Sequence, residues 1–587
     1  MLKDCIDIFE RKYSSAGDAL ITDNYTLDPG TYILVDMDGQ IIDQKDVIKN
    51  NFDRIGYDDF IDRDYLSKLL DMNKPIDGKK VIHSNNYLSF WMKKDNLQPD
   101  NNGNAKLSLD IINNYYAILK NPRLKYTKKS LELYDDLETS IGTPDLQILE
   151  FCKTWITDHI FSFIDDPKIK FDKTYLKIFF LADLSLYHQE SQRYFLPNIY
   201  NTTDYNIIIN NQIFGLPNNN MGMNAKKPYL ENKTRIQSKV PYLLSTDDVY
   251  IQKKFFDYLY NYANQGKTNV YFSTDSNDPD PIYPYESSQA HSKNLNGYFL
   301  RIQKGKELEI RDYDLITGYS PDLDHFVIQQ AIPIPEDAHS DLTYGDNLNL
   351  KSVQHVINTT FFRKFLTTNY FTDAGDIRLN DFRVKEELLR CRNGFFTWFY
   401  KGDARTIKNL FPKSSLELIK NSIGNGHFIK AIEQFNVRDG FITYFKGGKS
   451  MADQLSPIRK ALREKLNSTG DNSIESDLEY FYAVGQITNY YLSRNKSSKK
   501  PVYSTVNPVV NCKSNEKLKD LLTRLFLKYN YDIQTSRRFG NLQSMIFAYV
   551  PDGPMDSTTL IAGYLSPNLL YESNKETKTQ EEITNVE

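Results

Sequence analysis

The residues best equipped for chemistry sit between Pro217 and Arg235, where Asn218, Asn219, Asn220 and Asn224 surround Gly222 and are followed by Lys226, Lys227, Lys233 and Arg235. Each asparagine side chain carries two donors and an acceptor, glycine lets a backbone approach closely, and the cations supply charge. That chemistry suits recognition, with amides addressing base edges and lysines holding phosphates, and the alternative reading is a long polar surface loop in an asparagine-rich chain. From Lys226 to Lys239 five basic residues (Lys226, Lys227, Lys233, Arg235, Lys239) stand against Glu231 alone, in a chain whose net charge is −4. A polar segment of this kind cannot be core.

Other constellations fail on spacing. Lys446-Gly447-Gly448-Lys449-Ser450 ends like a phosphate-binding loop, but Thr443 stands where the leading glycine belongs and no good helix pattern begins at once after Ser450. The eight histidines are scattered, with no zinc-hydrolase pair across a glutamate, and no serine elbow is present. Neither a cofactor nor a metal is implied, which favours a binding or scaffold role over an enzyme.

The elements that must position these groups are legible in outline. With 587 residues, 40% apolar and 13% aromatic, the chain can bury several domains. A near-neutral balance gives no general attraction to nucleic acid, so binding must come from local patches or from an assembly. Cys5, Cys152, Cys391 and Cys512 are far apart and read as free thiols of a reducing cytoplasm. No segment is apolar enough to span a bilayer, and the first ten residues are no signal peptide.

Thr31–Val35 and Gln40–Ile42 flank an Asp-Gly turn, and residues 298–302 and 307–310 alternate around Lys304-Gly305; both predict antiparallel hairpins. Residues 249–262 predict an amphipathic helix. After about Asn369 helices take over. Ser456-Pro457 reads as a cap and first-turn pair ahead of Ile458, Leu462 and Leu466, and the spacings of Leu518, Leu521, Leu522, Leu525 and Tyr529 and of Phe539, Leu542, Ile546 and Tyr549 predict further helices of a bundle. The fold class is α+β: a mixed region over 1–370, a helical bundle over 371–571, and a disordered tail over 572–587. Basic surface is expected from Lys120, Arg123, Lys125, Lys128 and Lys129, and in the bundle from Arg459, Lys460, Arg463, Lys499, Lys500, Arg537 and Arg538.

One short block resembles an enzyme. Tyr32-Ile33-Leu34-Val35-Asp36-Met37-Asp38-Gly39 is similar to the first motif of haloacid-dehalogenase-type phosphatases, which implies Asp36 as nucleophile, Asp38 as general acid and magnesium between them. Gln40 departs from the threonine or serine of that motif, and Gln40-Ile41-Ile42 continues an extended pattern.

Several separated blocks agree on a different family. Asp28 to Asp36, Asn73-Lys74-Pro75-Ile76-Asp77-Gly78-Lys79-Lys80 through Phe90, Met221-Gly222-Met223-Asn224-Ala225-Lys226-Lys227-Pro228-Tyr229-Leu230-Glu231, and Phe481-Tyr482-Ala483-Val484-Gly485-Gln486 with Tyr490-Tyr491-Leu492 resemble the large subunit of type I-B CRISPR Cascade complexes. The resemblance implies a non-catalytic, cytoplasmic subunit for antiviral defence. Such a subunit holds the 5′ handle of the guide RNA, reads a protospacer-adjacent motif on duplex DNA, helps unwinding and recruits the helicase–nuclease. Its partners are guide RNA, target double-stranded DNA, and the backbone and small Cascade subunits, with no membrane. The resemblance assigns motif reading to Asn218, Asn219, Asn220, Gly222, Asn224, Lys226 and Lys227, and backbone contacts to the basic residues above with Lys233 and Arg235. It also makes Met451 a candidate internal start for a separate small subunit, since Gly447-Gly448 can encode a ribosome-binding signal.

Overall fold

The computed structural model describes residues 1–48, 52–99, 105–127, 129–201, 203–221, 242–470, 472–495, 502–533 and 535–572. Residue contacts divide the chain into two units, Met1–Ser287 with Asn296–Leu315, and Ser288–Leu295 with Ile316–Glu587. The class is α+β; among the described residues the extended strands all lie before residue 320, and a helical bundle stands at the C-terminal end. Among the described residues no helix is long and apolar enough to cross a membrane, and all four cysteines are free thiols.

The first unit is built on a mixed sheet of order β2-β1-β4-β3. Strand β1 (Gly30–Val35) pairs antiparallel with β2 (Ile41–Val47) and parallel with β4 (Tyr175–Phe180), which in turn runs antiparallel to β3 (Ser89–Lys93). All six residues of β1 are buried, so its apolar run is continuous, as a central strand requires. Helices α1 (Leu2–Ala16), α2 (Asp58–Ser67), α3 (Leu109–Lys120), α4 (Lys129–Ile141), α5 (Leu146–His159), α6 (Leu184–Asn198) and α7 (Thr246–Asn264) belong to this unit, and α7 contains the helix expected over 249–262.

The expected β1–β2 hairpin is present. At its turn the Asp36 amide donates to the Gln40 carbonyl at 2.9 Å, and Gly39 takes the left-handed conformation with φ 87°. A second sheet of order β11-β10-β8-β9 uses β8 (Lys267–Ser273), β9 (Ile282–Glu286), β10 (Leu295–Lys304) and β11 (Leu308–Tyr319), so the second expected hairpin is also present.

A charged group lies inside the first unit. Lys177 on β4 places its ammonium 2.6 Å from Asp64 of α2, with both side chains fully buried, and 3.8 Å from the Trp91 ring centre. Tyr25 donates to the other Asp64 oxygen at 2.6 Å, so every strong acceptor of that carboxylate is engaged.

The second unit contains α8 (Leu350–Thr360), α9 (Phe382–Lys401), α10 (Ile407–Gly424), α11 (Phe428–Lys446), α12 (Met451–Asn467), α13 (Asp477–Ser493), α14 (Asn515–Tyr529), α15 (Arg537–Ala548) and α16 (Ser557–Leu565). The change to helix comes earlier than the expected boundary at 370. The reason is packing: Phe361 and Phe362, just after α8, meet Phe411 and Phe395 at 4.9 and 6.0 Å between ring centres and so join the aromatic core of α9 and α10.

Helices α13 and α16 touch backbone to backbone. A Cβ on Gly485 would stand 2.2 Å from the Leu560 carbonyl oxygen, and one on Gly563 would stand 2.2 Å from that of Tyr482. Beside this contact the buried Gln486 donates to the Gly563 carbonyl at 2.6 Å and accepts from the Leu569 amide at 2.8 Å. The Gly485-Gln486 pair is therefore a helix-joining device.

Candidate nucleic-acid interface

The amide-rich segment departs from a small antiparallel base. Strand β5 (Ile207–Ile209) pairs with β6 (Gln212–Gly215), and β6 pairs with β7 (Leu244–Ser245) through Phe214↔Ser245 and Gly215↔Leu244. The chain thus leaves β6 and returns on β7 with its two ends held side by side. Tyr200 reinforces the base, donating within 3.0 Å of the carbonyls of Ile213 and Leu244, one on each strand.

Asn218, Asn219 and Asn220 form the outgoing stem, and the expectation that this stretch cannot be core is corrected at its start. Asn218 is buried: its amide donates to the Ile199 carbonyl at 3.1 Å and its side chain accepts from the Asn220 amide at 3.2 Å. Asn219 accepts from Asn201 at 2.9 Å, and Asn220 donates to the Leu70 carbonyl at 2.9 Å. Short amide side chains bond readily to nearby backbone, so these three act as anchors. The remaining residues assigned to motif reading, Gly222, Asn224, Lys226 and Lys227, lie outside the described residues, as do Lys233 and Arg235.

The run from Lys120 to Lys129 is not one free cationic surface. Lys120 pairs with Glu150 at 3.0 Å, Arg123 pairs with Asp135 at 2.9 Å and with Glu138, Lys125 donates to the Pro75 carbonyl, and Lys129 donates to the Asn206 carbonyl; Lys128 lies outside the described residues. The partners are 12 to 77 residues away in sequence, which is why the run looked unopposed. Burial pushes the Lys125 amine down to about 8 against the opposing pull of Asp77. Lys74, which donates to the carbonyls of Asn198 (2.7 Å) and Tyr200, is likewise lowered to about 8 by burial.

In the second unit, Arg459, Lys460 and Arg463 of α12 line a cleft of about 790 Å³ with Gln330, Ser456, Asn467 and Tyr482. The arginines are brought together by a residue that the sequence placed in the tail. Glu572 accepts from Arg459 Nη2 at 2.6 Å and from Arg463 Nε at 2.7 Å, while Arg538 donates to its backbone carbonyl. Burial opposes ionisation of Glu572, yet hydrogen bonds and charge from Arg463 and Arg459 leave its carboxyl below the ordinary range. Its order is a correction to a tail beginning at 572; residues 573–587 lie outside the described residues. Lys460 and Arg537 are exposed, and Lys499 and Lys500 lie outside the described residues.

Met451 is the first residue of α12, not a position before it. Ser450 caps the helix by accepting from the Asp453 amide at 3.3 Å, and the Asp439 carboxylate of α11 accepts from the Met451 amide at 3.0 Å. The expected Ser456-Pro457 start is therefore corrected: Pro457 lies inside the helix, whose first turn is fixed six residues earlier. The helix beginning at once after Ser450 also corrects the expectation that none would. What precedes Gly447 is α11, a helix, whereas a phosphate-binding loop follows a strand.

At the other enzymatic candidate, Asp36 Oδ1 accepts from the amides of Asp38 at 3.0 Å and Gln40 at 2.7 Å, and the Trp155 indole donates to the Gly39 carbonyl at 2.9 Å. Its carboxylate closes a turn that leads into β2, where the phosphatase motif would lead into a helix. No cluster of three or more histidine, cysteine or carboxylate side chains suited to a metal occurs among the described residues. Searches against protein-family models, curated proteins and solved structures found no match to this chain.

Proposed function

We propose that this chain is the large, non-catalytic subunit of a type I-B CRISPR Cascade complex. It reads a protospacer-adjacent motif on target double-stranded DNA, helps to unwind the duplex and recruits the helicase–nuclease, while guide RNA and the backbone and small subunits hold it in place. The observation that supports this reading best is the β6–β7 base. A segment rich in amides and lysines is joined at both ends to fixed backbone, with Asn218 to Asn220 anchoring the stem, as a probe inserted into a groove requires. Asn224 is then the base-contacting residue, and Lys226 and Lys227 hold phosphates and set register. Sequence discrimination beyond the motif belongs to base pairing with the guide.

The test is co-expression with helical-backbone subunits, retention of guide RNA through high-salt washes, and a mobility-shift titration with target duplex. Asn224→Ala abolishes motif-dependent duplex binding and leaves assembly intact; Lys226→Ala with Lys227→Ala weakens binding to all duplexes and lowers the salt slope by about two. Loss of all guide RNA during purification, or magnesium-dependent phosphate release from the chain alone, refutes the proposal.

A further inference from the structure

We infer that the arginines around Glu572 form a seat for a nucleic-acid backbone phosphate, and that Glu572 is its internal occupant, competing with the phosphate. This rests on the nucleic-acid reading above and deepens it by naming the ligand group and its rival.

The geometry is that of an anion site already holding an anion. Arg459 Nη2 and Arg463 Nη2 both donate to Glu572 Oε1, at 2.6 and 3.1 Å, and Arg463 Nε donates to Oε2 at 2.7 Å. A planar guanidinium donates to carboxylate and phosphate oxygens with the same fork, so whatever suits Glu572 suits a phosphodiester. The carboxylate does not exhaust the donors. Arg538 uses Nη1 on the Glu572 carbonyl, while its Nε and Nη2 are buried without a hydrogen-bond partner among the described residues. Buried donors without acceptors are costly, and a tetrahedral anion offers acceptors in directions that a flat carboxylate lacks.

The surroundings fit a polymer. The adjoining cleft of about 790 Å³ far exceeds the needs of one carboxylate, and Lys460 adds an exposed cation on the same helix. Ser456, Asn467, Ser468 and Tyr482 line it with groups that bond sugar and phosphate oxygens, and among the described residues Glu464 is the one carboxylate on its wall, set against Arg459, Lys460 and Arg463. Glu572 is tethered beside the arginines, so it is present at high effective concentration and holds them until a polyanion displaces it.

The experiment uses the full-length chain, alone and in its assembly, titrated with fluorescent single- and double-stranded DNA over a series of salt concentrations. Glu572→Gln keeps an acceptor oxygen and the side-chain volume but removes the charge; it is expected to bind on the order of tenfold tighter. Arg459→Ala with Arg463→Ala is expected to bind more weakly than wild type, with the salt slope reduced by about one, and to erase the gain from Glu572→Gln when combined. In wild type, DNA is expected to speed hydrogen exchange over 566–572 as Glu572 is released, a readout that needs no variant. If wild type binds through the arginine pair but Glu572→Gln binds no tighter and exchange is unchanged, this inference falls and the proposed function stands. If neither wild type nor Glu572→Gln binds nucleic acid in any form, both fall.

Discussion

One basic cluster in each unit is disposed differently. In the first, Lys125 and Lys129 point into backbone carbonyls, Lys120 and Arg123 meet carboxylates, and Lys177 is sealed against Asp64 and Trp91. In the second, Arg459, Arg463 and Arg538 converge on one residue beside an open cleft, with Lys460 exposed next to them. The same residue types thus close the fold at the Lys120–Lys129 run and gather on one carboxylate beside a cleft lined by α12. A cationic run in a sequence measures the supply of charge, and folding decides where that charge is still available.

The largest effect that would break this contrast is in the scaffold. Lys177→Met removes one partner of a fully buried pair and strands Asp64, with an expected loss of about 4 kcal/mol in the first unit; urea unfolding with a loss under about 1 kcal/mol would show that the pair is not structural. In the second unit the matching element is the close backbone contact between α13 and α16, and Gly485→Ala is its probe. Its added carbon meets the Leu560 carbonyl at 2.2 Å and the Tyr564 amide at 2.5 Å, and the expected destabilisation is about 3 kcal/mol, read by thermal unfolding and by faster hydrogen exchange in α13 and α16.

Titration sharpens the contrast next. Lys74 and Lys125 fall from 10.5 to about 8 in the fold, so between pH 8 and 10 the unfolded chain binds more protons and their share of first-unit stability rises with pH. Asp439 in the second unit rises from 3.8 to about 6, chiefly by burial, so its contribution is fully present below pH 4 and is lost as pH climbs through 6. Asp439→Asn should therefore gain on wild type over pH 4 to 6, on the order of 2 kcal/mol, and Lys125→Met should flatten the rise above pH 8; parallel curves for variant and wild type would refute each assignment. The smallest effect concerns the start of α12: Ser450→Ala removes its cap and should cost about 1 kcal/mol, visible as faster exchange in the first turn.

Local signals carried much of the fold. The Asp-Gly turn after Val35, the amphipathic pattern within α7 and the spacings of Leu518 with Leu522 and of Phe539 with Leu542 all mark elements that formed, because turn chemistry and periodicity act over a few residues. What was hidden depends on distant partners. The parallel pairing of β1 with β4 joins residues about 145 apart, and Asp439 fixes the start of α12 from another helix, so Pro457 was read as the first turn. At the candidate interface, the supply of amides and lysines was legible, but the anchoring role of Asn218 and Asn220 was not, since Ile199 and Leu70 supply the backbone that holds them. Glu572 was missed for the same reason: Arg459 and Arg463, which hold its carboxylate, are more than a hundred residues upstream.

The capped beginning of α12 bears on any shorter product translated from Met451. Such a polypeptide would lack Ser450 and Asp439 and would replace a hydrogen-bonded amide with a protonated α-amine, placing positive charge at the end of the helix where the peptide dipoles already converge their positive poles. Its first turn would unwind more readily than the same turn in the full chain, so identical sequence would present two different surfaces depending on where synthesis began.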